Sequence, residues 1–503
     1  MRIIKPTAPR NRLPILAVTL LTFGLRLAFL GRQSLWYDEA FSRVVAGAPW
    51  PVFWEALLAD GVHPPGYYLL LRAALPLFGA SEFGLRFPSA AVGTLAVPLM
   101  WPLGRRLFGR SEAGLLAALL LALNPFAVWY AQEARQYAPL LVLTVAGAWA
   151  YVRLLARPSL RRWWPLALSS ALSFGLHYFA FVFVLAQFIY LALTLRRNHP
   201  ALRWWVAAQA VAFLPLLPWA VAVAAREGRN FGIGWIQAVS PADIPLTLTN
   251  LAFALSDPGS IWTWLALVFL GLILALNLRR LSLHRSSFTV HPSPFILHPS
   301  RATFLLTFLL TPILFTFLLS LRRPLYVDRF FTVSLPFLVL LLAGGLWRNS
   351  PTWLRRGTML VLVVATALAC GRIFFDPALA KEDWRAAAAY VAGAEQPGDG
   401  LALRQFQDRL PFGHYYAGKL PLQIITTNRQ TTPPAEIAAG HRRLWIVQRR
   451  PLASTHALAG NVPLHWTGEA DPVVRTWLED QAGRLAEEQT FPGVYVLLYE
   501  VGD

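Results

Sequence analysis

The sequence predicts a polytopic α-helical membrane protein with about eleven transmembrane helices, followed by a small α/β domain at its carboxyl end. Three observations carry that reading. Of 503 residues, 56% are hydrophobic and only 14% are charged, where a soluble domain carries about 25% charge. Apolar stretches close to the roughly twenty residues that a bilayer requires recur as far as residue 374. Basic residues crowd into every second connection between those stretches, as they do in the cytoplasmic loops of membrane proteins.

The first element is the apolar run 13–31, preceded by Arg2, Lys5, Arg10 and Arg12. A cleaved leader would look similar, but no small-x-small site follows. The flank is Gly31-Arg32-Gln33-Ser34-Leu35-Trp36, so an uncleaved first span is expected. Further candidate spans lie near 83–104, 113–130, 137–155, 163–177, 178–195, 204–225, 260–278, 303–320, 327–347 and 357–374. The pair 163–177 and 178–195 is short and must turn around His177-Tyr178.

Orientation follows from charge. Connections 1–12, 105–112, 153–162, 196–203, 279–302 and 348–356 hold 21 Lys and Arg and one acid, Glu112, whereas the opposite set holds 9 basic residues and nearly all the acids. The amino terminus is therefore expected in the cytoplasm, with the acids outside a cell (inner, cytoplasmic) membrane that the chain crosses many times. Residues 66–79 are apolar enough to be a span. Counting them would invert every later loop, so a helix lying along or dipping into the outer surface fits better. The chain after Phe374 then emerges outside. The expected organisation is a transmembrane domain over 1–374, with an outer loop 32–82, and an extracytoplasmic α/β domain over 375–503.

The net charge of +19 would suggest nucleic acid in a soluble protein. Residues 1–374 hold 33 Lys and Arg against 11 Asp and Glu, while 375–503 hold 12 against 15. The excess thus belongs to the membrane part, and the bilayer, not nucleic acid, is the expected partner. Cys370 is the sole cysteine, which excludes an intrachain disulfide and a Cys-based metal site.

In the tail, Asp383 to Val391 reads as an amphipathic helix. Short apolar runs at 400–403, 423–425, 444–447 and 494–498 read as strands, and 472–488 as a helix. The Ser/His/Pro-rich stretch 281–300 reads as a flexible linker, and no internal repeat of the kind seen in transporters is evident.

Chemistry concentrates in the outer connections. Asp38 and Glu39 follow Trp36-Tyr37 just past the first span, where carboxylates are costly unless they have a task. Neighbours on a helix point about 100° apart, so one is the working carboxylate and the other a ligand or support. A carboxylate against apolar walls is suited to general-base work, although an ordinary loop acid reads the same way. His63, held extended by Pro64 and Pro65, could bind phosphate or a sugar hydroxyl, or be a plain interfacial histidine. Glu133, Arg135 and Tyr137 sit in a very short connection that must project into whatever the helices enclose. Glu133 suits a metal or sugar hydroxyl and Arg135 a phosphate, unless the two simply pair with each other. His177 and Tyr178 mark a later outer turn, and Arg322, Arg323, Tyr326, Asp328 and Arg329 another. Three arginines on the outer face break the positive-inside pattern, and an anionic phosphate or lipid headgroups would account for them. Asp243 and Asp257 are weaker candidates.

In this order the motifs resemble the GT-C superfamily of membrane glycosyltransferases. Trp36-Tyr37-Asp38-Glu39 is similar to that superfamily's first-loop acidic pair. The stretches His63-Pro64-Pro65-Gly66-Tyr67-Tyr68, Gly104-Arg105-Arg106-Leu107-Phe108-Gly109, Asn124-Pro125 and Gln132-Glu133-Ala134-Arg135-Gln136-Tyr137 resemble one branch of it. That bacterial branch is related to dolichyl-phosphate-mannose protein mannosyltransferases and aminoarabinose transferases. Asp328-Arg329-Phe330-Phe331 with Pro336 looks like its arginine-aromatic signature, with Phe where Tyr is common. The likeness covers most of 13–347.

The resemblance implies a GT-C-like fold, a polyprenyl-phosphate-linked sugar as donor, and transfer outside the membrane to an acceptor glycan, lipid or protein, usually with inversion. It implies Asp38 as the base supported by Glu39. His63, Tyr67, Glu133, Arg135, Tyr137, His177, Tyr178, Tyr326 and Arg329 would contact substrate, with Arg329 and Arg135 on the departing phosphate. Dependence on a divalent cation (Mg2+ or Mn2+) varies in the superfamily, and Glu39 and Glu133 are the ligands it would use. Two other classes compete. A transporter would place its charges at mid-span in paired, broken helices. A lipid-linked glycan ligase or polymerase would show large arginine-bearing outer loops in place of an early acidic pair.

Overall fold

Proline and asparagine set the breaks along this helical chain. Asn124 caps the helix that begins at Pro125 by accepting the Ala127 N–H at 2.8 Å, and its amide donates to the Leu251 carbonyl at 2.9 Å. The helices on either side, Ser111–Leu123 and Pro125–Ala131, meet at 56°. That bend delivers the short connection 132–136 into the interior.

The computed structural model describes residues 12–194, 200–226, 236–282, 301–344, 351–426, 432–449, 476–477, 480 and 484–501. Helix α1 is Leu13–Leu27. The connection 32–82 contains α2 (Tyr37–Gly47), α3 (Trp50–Asp60) and α4 (Gly66–Phe78). There follow α5 (Glu82–Thr94), α6 (Ala96–Phe108), α7 (Ser111–Leu123), α8 (Pro125–Ala131), α9 (Tyr137–Ala156), α10 (Leu160–Leu176), α11 (Ala180–Thr194), α12 (Pro200–Phe213) and α13 (Leu217–Ala225). After these come α14 (Asp243–Phe253), α15 (Ile261–Ser282), α16 (Arg301–Ser320), α17 (Leu335–Gly344) and α18 (Thr352–Phe375).

The chain is a multi-pass membrane protein. Among the described residues, six helices are long and apolar enough to cross a bilayer: Glu82–Phe108, Tyr137–Ala156, Pro200–Ala225, Ile261–Leu278, Arg301–Ser320 and Thr352–Phe375, and the bent pair α7–α8 reaches that length only when its two helices are taken together. Helices α1, α4, α11 and α17 are apolar but shorter. A helix stands at each candidate span, with one shift. Residues 328–333 form a tight 3-10 turn, so α17 begins at Leu335 and not at 327. Asp328 and Arg329 thereby stand in front of the helix.

Close approaches depend on glycine at two places. A Cβ at Gly66 would lie 2.4 Å from the Gly175 carbonyl, so α4 can seat on α10 only without a side chain there. A Cβ at Gly114 would lie 2.4 Å from the Trp101 carbonyl, which sets the α6–α7 contact.

Beyond α18 the tail forms a small α/β domain. Helix α19 is Trp384–Ala394, α20 is Arg409–Tyr415 and α21 is Pro434–Ala438. The strands are β1 (Gly400–Gln405), β2 (Leu422–Thr426), β3 (Arg443–Arg449), β4 (Leu485–Phe491) and β5 (Val494–Glu500), in the order β2-β1-β3-β5-β4. β1 runs parallel to β2 and β3, whereas β5 is antiparallel to β3 and β4. Trp384, Ala388 and Val391 of α19 pack on Leu401, Trp445 and Val496 of the sheet.

The expected helix over 472–488 is corrected at its carboxyl end, where Leu485–Glu488 is strand β4. Ala and Glu favour helix there, but the turn at Gly493 (φ 67°) returns the chain against β5 and cross-strand pairing wins. Residues 472–475 and the stretch 283–300 lie outside the described residues.

The tail docks on the connection 32–82. Ser34 Oγ donates to the Glu382 carbonyl at 2.5 Å, and Leu35 N to the Tyr415 hydroxyl at 2.7 Å. Tyr415 in turn donates to Glu82 at 2.8 Å.

Candidate active site

The acidic pair opens α2, with Trp36 as its N-cap. Helical geometry turns the neighbours to different partners. Glu39 is fully buried and receives both Arg86 Nε and Nη2 at 2.7 Å. It also accepts the Ala134 N–H at 2.9 Å. Arg86 donates onward to the carbonyls of Leu30, Gln33 and Ser34. Burial would raise the Glu39 carboxyl, but Arg86 and Lys381 outweigh it and hold it below the ordinary carboxylate range.

Asp38 keeps 19% of its side chain exposed and lies 3.8 Å from Arg135 and 3.7 Å from Arg329. These distances exceed a normal hydrogen bond, so the carboxylate is attracted but not clamped. Burial raises it, and Arg135, Arg329 and His63 together overcome that and bring it below the usual carboxylate value.

Arg135 anchors one wall. It donates to Tyr68 Oη and Ser42 Oγ, both at 3.3 Å, and to His63 Nε2 at 3.0 Å. A guanidinium only donates, so His63 Nε2 is the acceptor and Nδ1 carries the proton, facing Asp60 at 3.4 Å. Burial and Arg135 accordingly depress the His63 pKa. Arg329 comes from the turn before α17 and lies over the Trp36 ring at 5.6 Å. Tyr137 is buried, and its hydroxyl has no hydrogen-bond partner among the described residues. The same is true of His177 Nε2, whose ring stands 5.8 Å from His63 and 5.9 Å from Tyr137.

Glu133 and Arg135 do not pair with each other. Glu133 Oε1 faces Lys381 Nζ at 3.3 Å, and its Oε2 has no partner among the described residues. Burial raises its carboxyl, Lys381 opposes that, and the result is a value above the ordinary one.

Other expected site residues stand one layer back. Tyr67 donates to Ser89 at 3.0 Å, and Ser89 donates to the Arg135 carbonyl at 3.1 Å. Of the two adjacent tyrosines it is Tyr68 that reaches the Arg135 guanidinium. Tyr178 accepts from Trp219 at 3.0 Å and donates to the Gly61 carbonyl at 3.3 Å. Tyr326 bonds Thr247 at 2.8 Å, and Thr247 donates to Asp328 at 2.5 Å. Burial lifts the Asp328 carboxyl to about 7, against the hydrogen bonds from Thr247 and Asn250.

Sequence reasoning missed Arg86 and Lys381. Arg86 lies inside an apolar stretch, where an unpaired arginine is costly, and that cost was the signal for a buried partner. Lys381 is one of three lysines in the chain, with Lys5 and Lys419. Nothing in its local pattern points at an acid more than 200 residues away.

A divalent cation fits this donor set poorly. Both oxygens of Glu39 are taken by Arg86, and Lys381 Nζ stands 3.4 Å from Glu39 and 3.3 Å from Glu133. No group of three or more His, Cys, Asp or Glu converges among the described residues.

Comparison with known proteins fits this architecture. Residues 62–221 match the model of the dolichyl-phosphate-mannose-protein mannosyltransferase family. An undecaprenyl phosphate-alpha-4-amino-4-deoxy-L-arabinose arabinosyl transferase of Pseudomonas paraeruginosa is 28% identical over 229 residues. That match spans 43% of this chain and 42% of the relative. An uncharacterised protein of Aquifex aeolicus is 27% identical over 113 residues, 22% of each chain. Among solved structures, ArnT from Cupriavidus metallidurans bound to undecaprenyl phosphate superposes with a TM-score of 0.58. The superposition has 13% identity and covers 96% of this chain and 97% of that one. The Archaeoglobus fulgidus oligosaccharyltransferase AglB, in complex with an inhibitory peptide and a dolichol-phosphate, gives a TM-score of 0.53 at 12% identity. It covers 90% of this chain and 71% of that one.

The chain thus has the fold of the GT-C membrane glycosyltransferases, with a small C-terminal sheet domain. Within that class it resembles the branch of the dolichyl-phosphate-mannose protein mannosyltransferases and aminoarabinose transferases.

Proposed function

We propose that the chain is an integral-membrane glycosyltransferase that moves a hexosyl or pentosyl unit from a polyprenyl-phosphate-linked donor to an acceptor hydroxyl on the outer face of the membrane. The observation that carries this reading is Asp38, partly open and held at 3.8 and 3.7 Å between Arg135 and Arg329. The one-sided charge of the connections supports the outer placement. An undecaprenyl phosphate-sugar transferase among the relatives, and similar folds solved with undecaprenyl phosphate or a dolichol-phosphate bound, support the donor class. In this organisation residues 1–374 are the catalytic membrane domain and 375–503 an extracytoplasmic domain.

Asp38 takes the proton of the acceptor hydroxyl as its oxygen forms a bond to the anomeric carbon. The bond from that carbon to the phosphate oxygen breaks, and polyprenyl phosphate leaves with both electrons. Arg329 and Arg135 receive its growing charge, an electrostatic task that needs donors fixed in advance. As the arginines turn to phosphate they release Asp38, whose basicity rises when a base is needed. Tyr137 and His177 supply buried, uncommitted polar atoms for sugar hydroxyls. Glu39, clamped by Arg86, fixes the start of α2 and with it the Asp38 side chain.

The test is Asp38→Asn assayed for sugar transfer from a polyprenyl-phosphate donor. Transfer is expected to vanish while expression and membrane insertion stay normal. Full activity in that variant would overturn the assignment.

A further inference from the structure

We propose that the Lys381 ammonium occupies the position between Glu39 and Glu133 that a divalent cation would otherwise take, so that the C-terminal segment supplies the fixed positive charge of this centre. The inference rests on the glycosyltransferase reading only where transfer is measured.

Three observations carry it. Lys381 Nζ lies 3.4 Å from Glu39 Oε2 and 3.3 Å from Glu133 Oε1, bridging two carboxylates that are both almost fully buried. The backbone behind it is tied down, since Lys381 N donates to Gln33 Oε1 at 3.2 Å and Ser34 Oγ donates to the Glu382 carbonyl at 2.5 Å. The ammonium is also flanked by aromatic rings, at 5.4 Å from the Trp129 centroid and 5.9 Å from Trp36, which attract it.

With Lys381 on Glu39 Oε2 and Glu133 Oε1, the donors left over do not make a metal cage. Mg2+ demands near-octahedral oxygen coordination at about 2.0–2.1 Å. Here Arg86 holds both Glu39 oxygens at 2.7 Å and Ala134 N–H shares one of them at 2.9 Å. One Glu133 oxygen is left over. A lysine needs no such cage, because three N–H donors satisfy carboxylates at ordinary hydrogen-bond distances. Two buried acids with one bridging ammonium cost far less than two acids alone. Undocking the tail would strip Glu133 of this cation and leave Glu39 to Arg86 and the Ala134 N–H, so this lysine couples the C-terminal domain to the acidic centre. Lys381 acts through Glu39 and Glu133 and is a positioning residue.

The experiment uses the purified full-length protein in detergent and reads two quantities. The first is Mn2+ binding, followed by loss of the free-ion electron paramagnetic resonance signal. The second is sugar transfer with and without EDTA. Wild type is expected to show no Mn2+ binding that depends on Glu133, and transfer unaffected by EDTA. Lys381→Ala opens the position. It is expected to bind Mn2+ in a manner lost on adding Glu133→Gln, and to transfer at least tenfold more slowly, with partial recovery when Mn2+ or Mg2+ is supplied. Lys381→Met keeps the side-chain volume but removes the charge, so it should slow transfer to the same extent without gaining Mn2+ binding or metal rescue, which covers the case in which the alanine variant fails to fold.

Glu133-dependent Mn2+ binding by wild type, or transfer that stops with EDTA and returns with metal, overturns the proposal. So does a Lys381→Ala deficit that no divalent cation relieves. A wild type that transfers nothing from a polyprenyl-phosphate donor would defeat the functional reading alone, because the Mn2+ arm does not depend on turnover.

Discussion

Replacing Arg86 with methionine isolates the support beneath the acidic pair. Methionine keeps much of the side-chain volume and removes the guanidinium. Glu39 then loses both 2.7 Å hydrogen bonds and is left buried with the Ala134 N–H and Lys381 as partners. Removing one member of a buried ion pair costs about 3–5 kcal/mol. The carbonyls of Leu30, Gln33 and Ser34 lose a donor as well, and each buried acceptor left unmet adds about 1–3 kcal/mol. Lys381 recovers part of the loss, and neighbouring terms do not add. The expected destabilisation is therefore about 3–5 kcal/mol, a factor of about 10²–10⁴ in the population of the ordered connection 32–82.

The assay is the thermal-inactivation half-life in detergent at fixed temperature, because such proteins unfold irreversibly. The variant Arg86→Met/Glu39→Gln, which neutralises the stranded acid, should regain a large part of the loss. The sign with pH also follows. Glu39 is held low in the folded protein, so its contribution is present above the unfolded carboxylate value of about 4.3 and is lost as pH falls through the lower folded value. In Arg86→Met that contribution should shrink or reverse, because burial then opposes ionisation and protonation relieves the stranded acid as Glu39→Gln does. A single variant as long-lived as wild type, or a double variant no better than the single one, would refute the reasoning.

Two further outcomes are expected. Because Arg135 and Arg329 outweigh burial at Asp38, the acidic limb of kcat/KM should lie below the ordinary carboxylate range. Arg329→Gln should move that limb to higher pH while lowering kcat/KM, and an unmoved limb would separate Arg329 from Asp38. Gly66→Ala places a methyl 2.4 Å from the Gly175 carbonyl and should cost about 1–3 kcal/mol of stability. A Cβ at Gly175 meets nothing within 4 Å, so Gly175→Ala should be neutral by the same thermal assay.

Much of the helical part was legible because each candidate span is a long apolar run whose length a bilayer dictates. The strands at 400–405, 422–426, 443–449 and 494–500 were legible as short apolar runs. Residues 485–488 were not, because Leu485-Ala486-Glu487-Glu488 has helical composition and lies on an exposed edge strand, where pairing with β5 decides the outcome. The start of α17 was misplaced for a related reason. Asp328-Arg329-Phe330-Phe331 is apolar enough to extend the run, yet the buried polar bonds of Asp328 to Thr247 and Asn250 hold it as a tight turn.

By itself the sequence determined that this is a membrane protein and that Asp38 and Glu39 must point apart. Those properties depend on local composition, periodicity and helix geometry, all of which are written along the chain. Only the tertiary structure decided which cation meets which acid. Arg86 rather than Arg135 clamps Glu39, Tyr68 rather than Tyr67 touches Arg135, and Lys381 reaches across from the tail to Glu133. Pairings of this kind are set by which helix ends converge in the fold, and a buried charge accepts whichever partner arrives there.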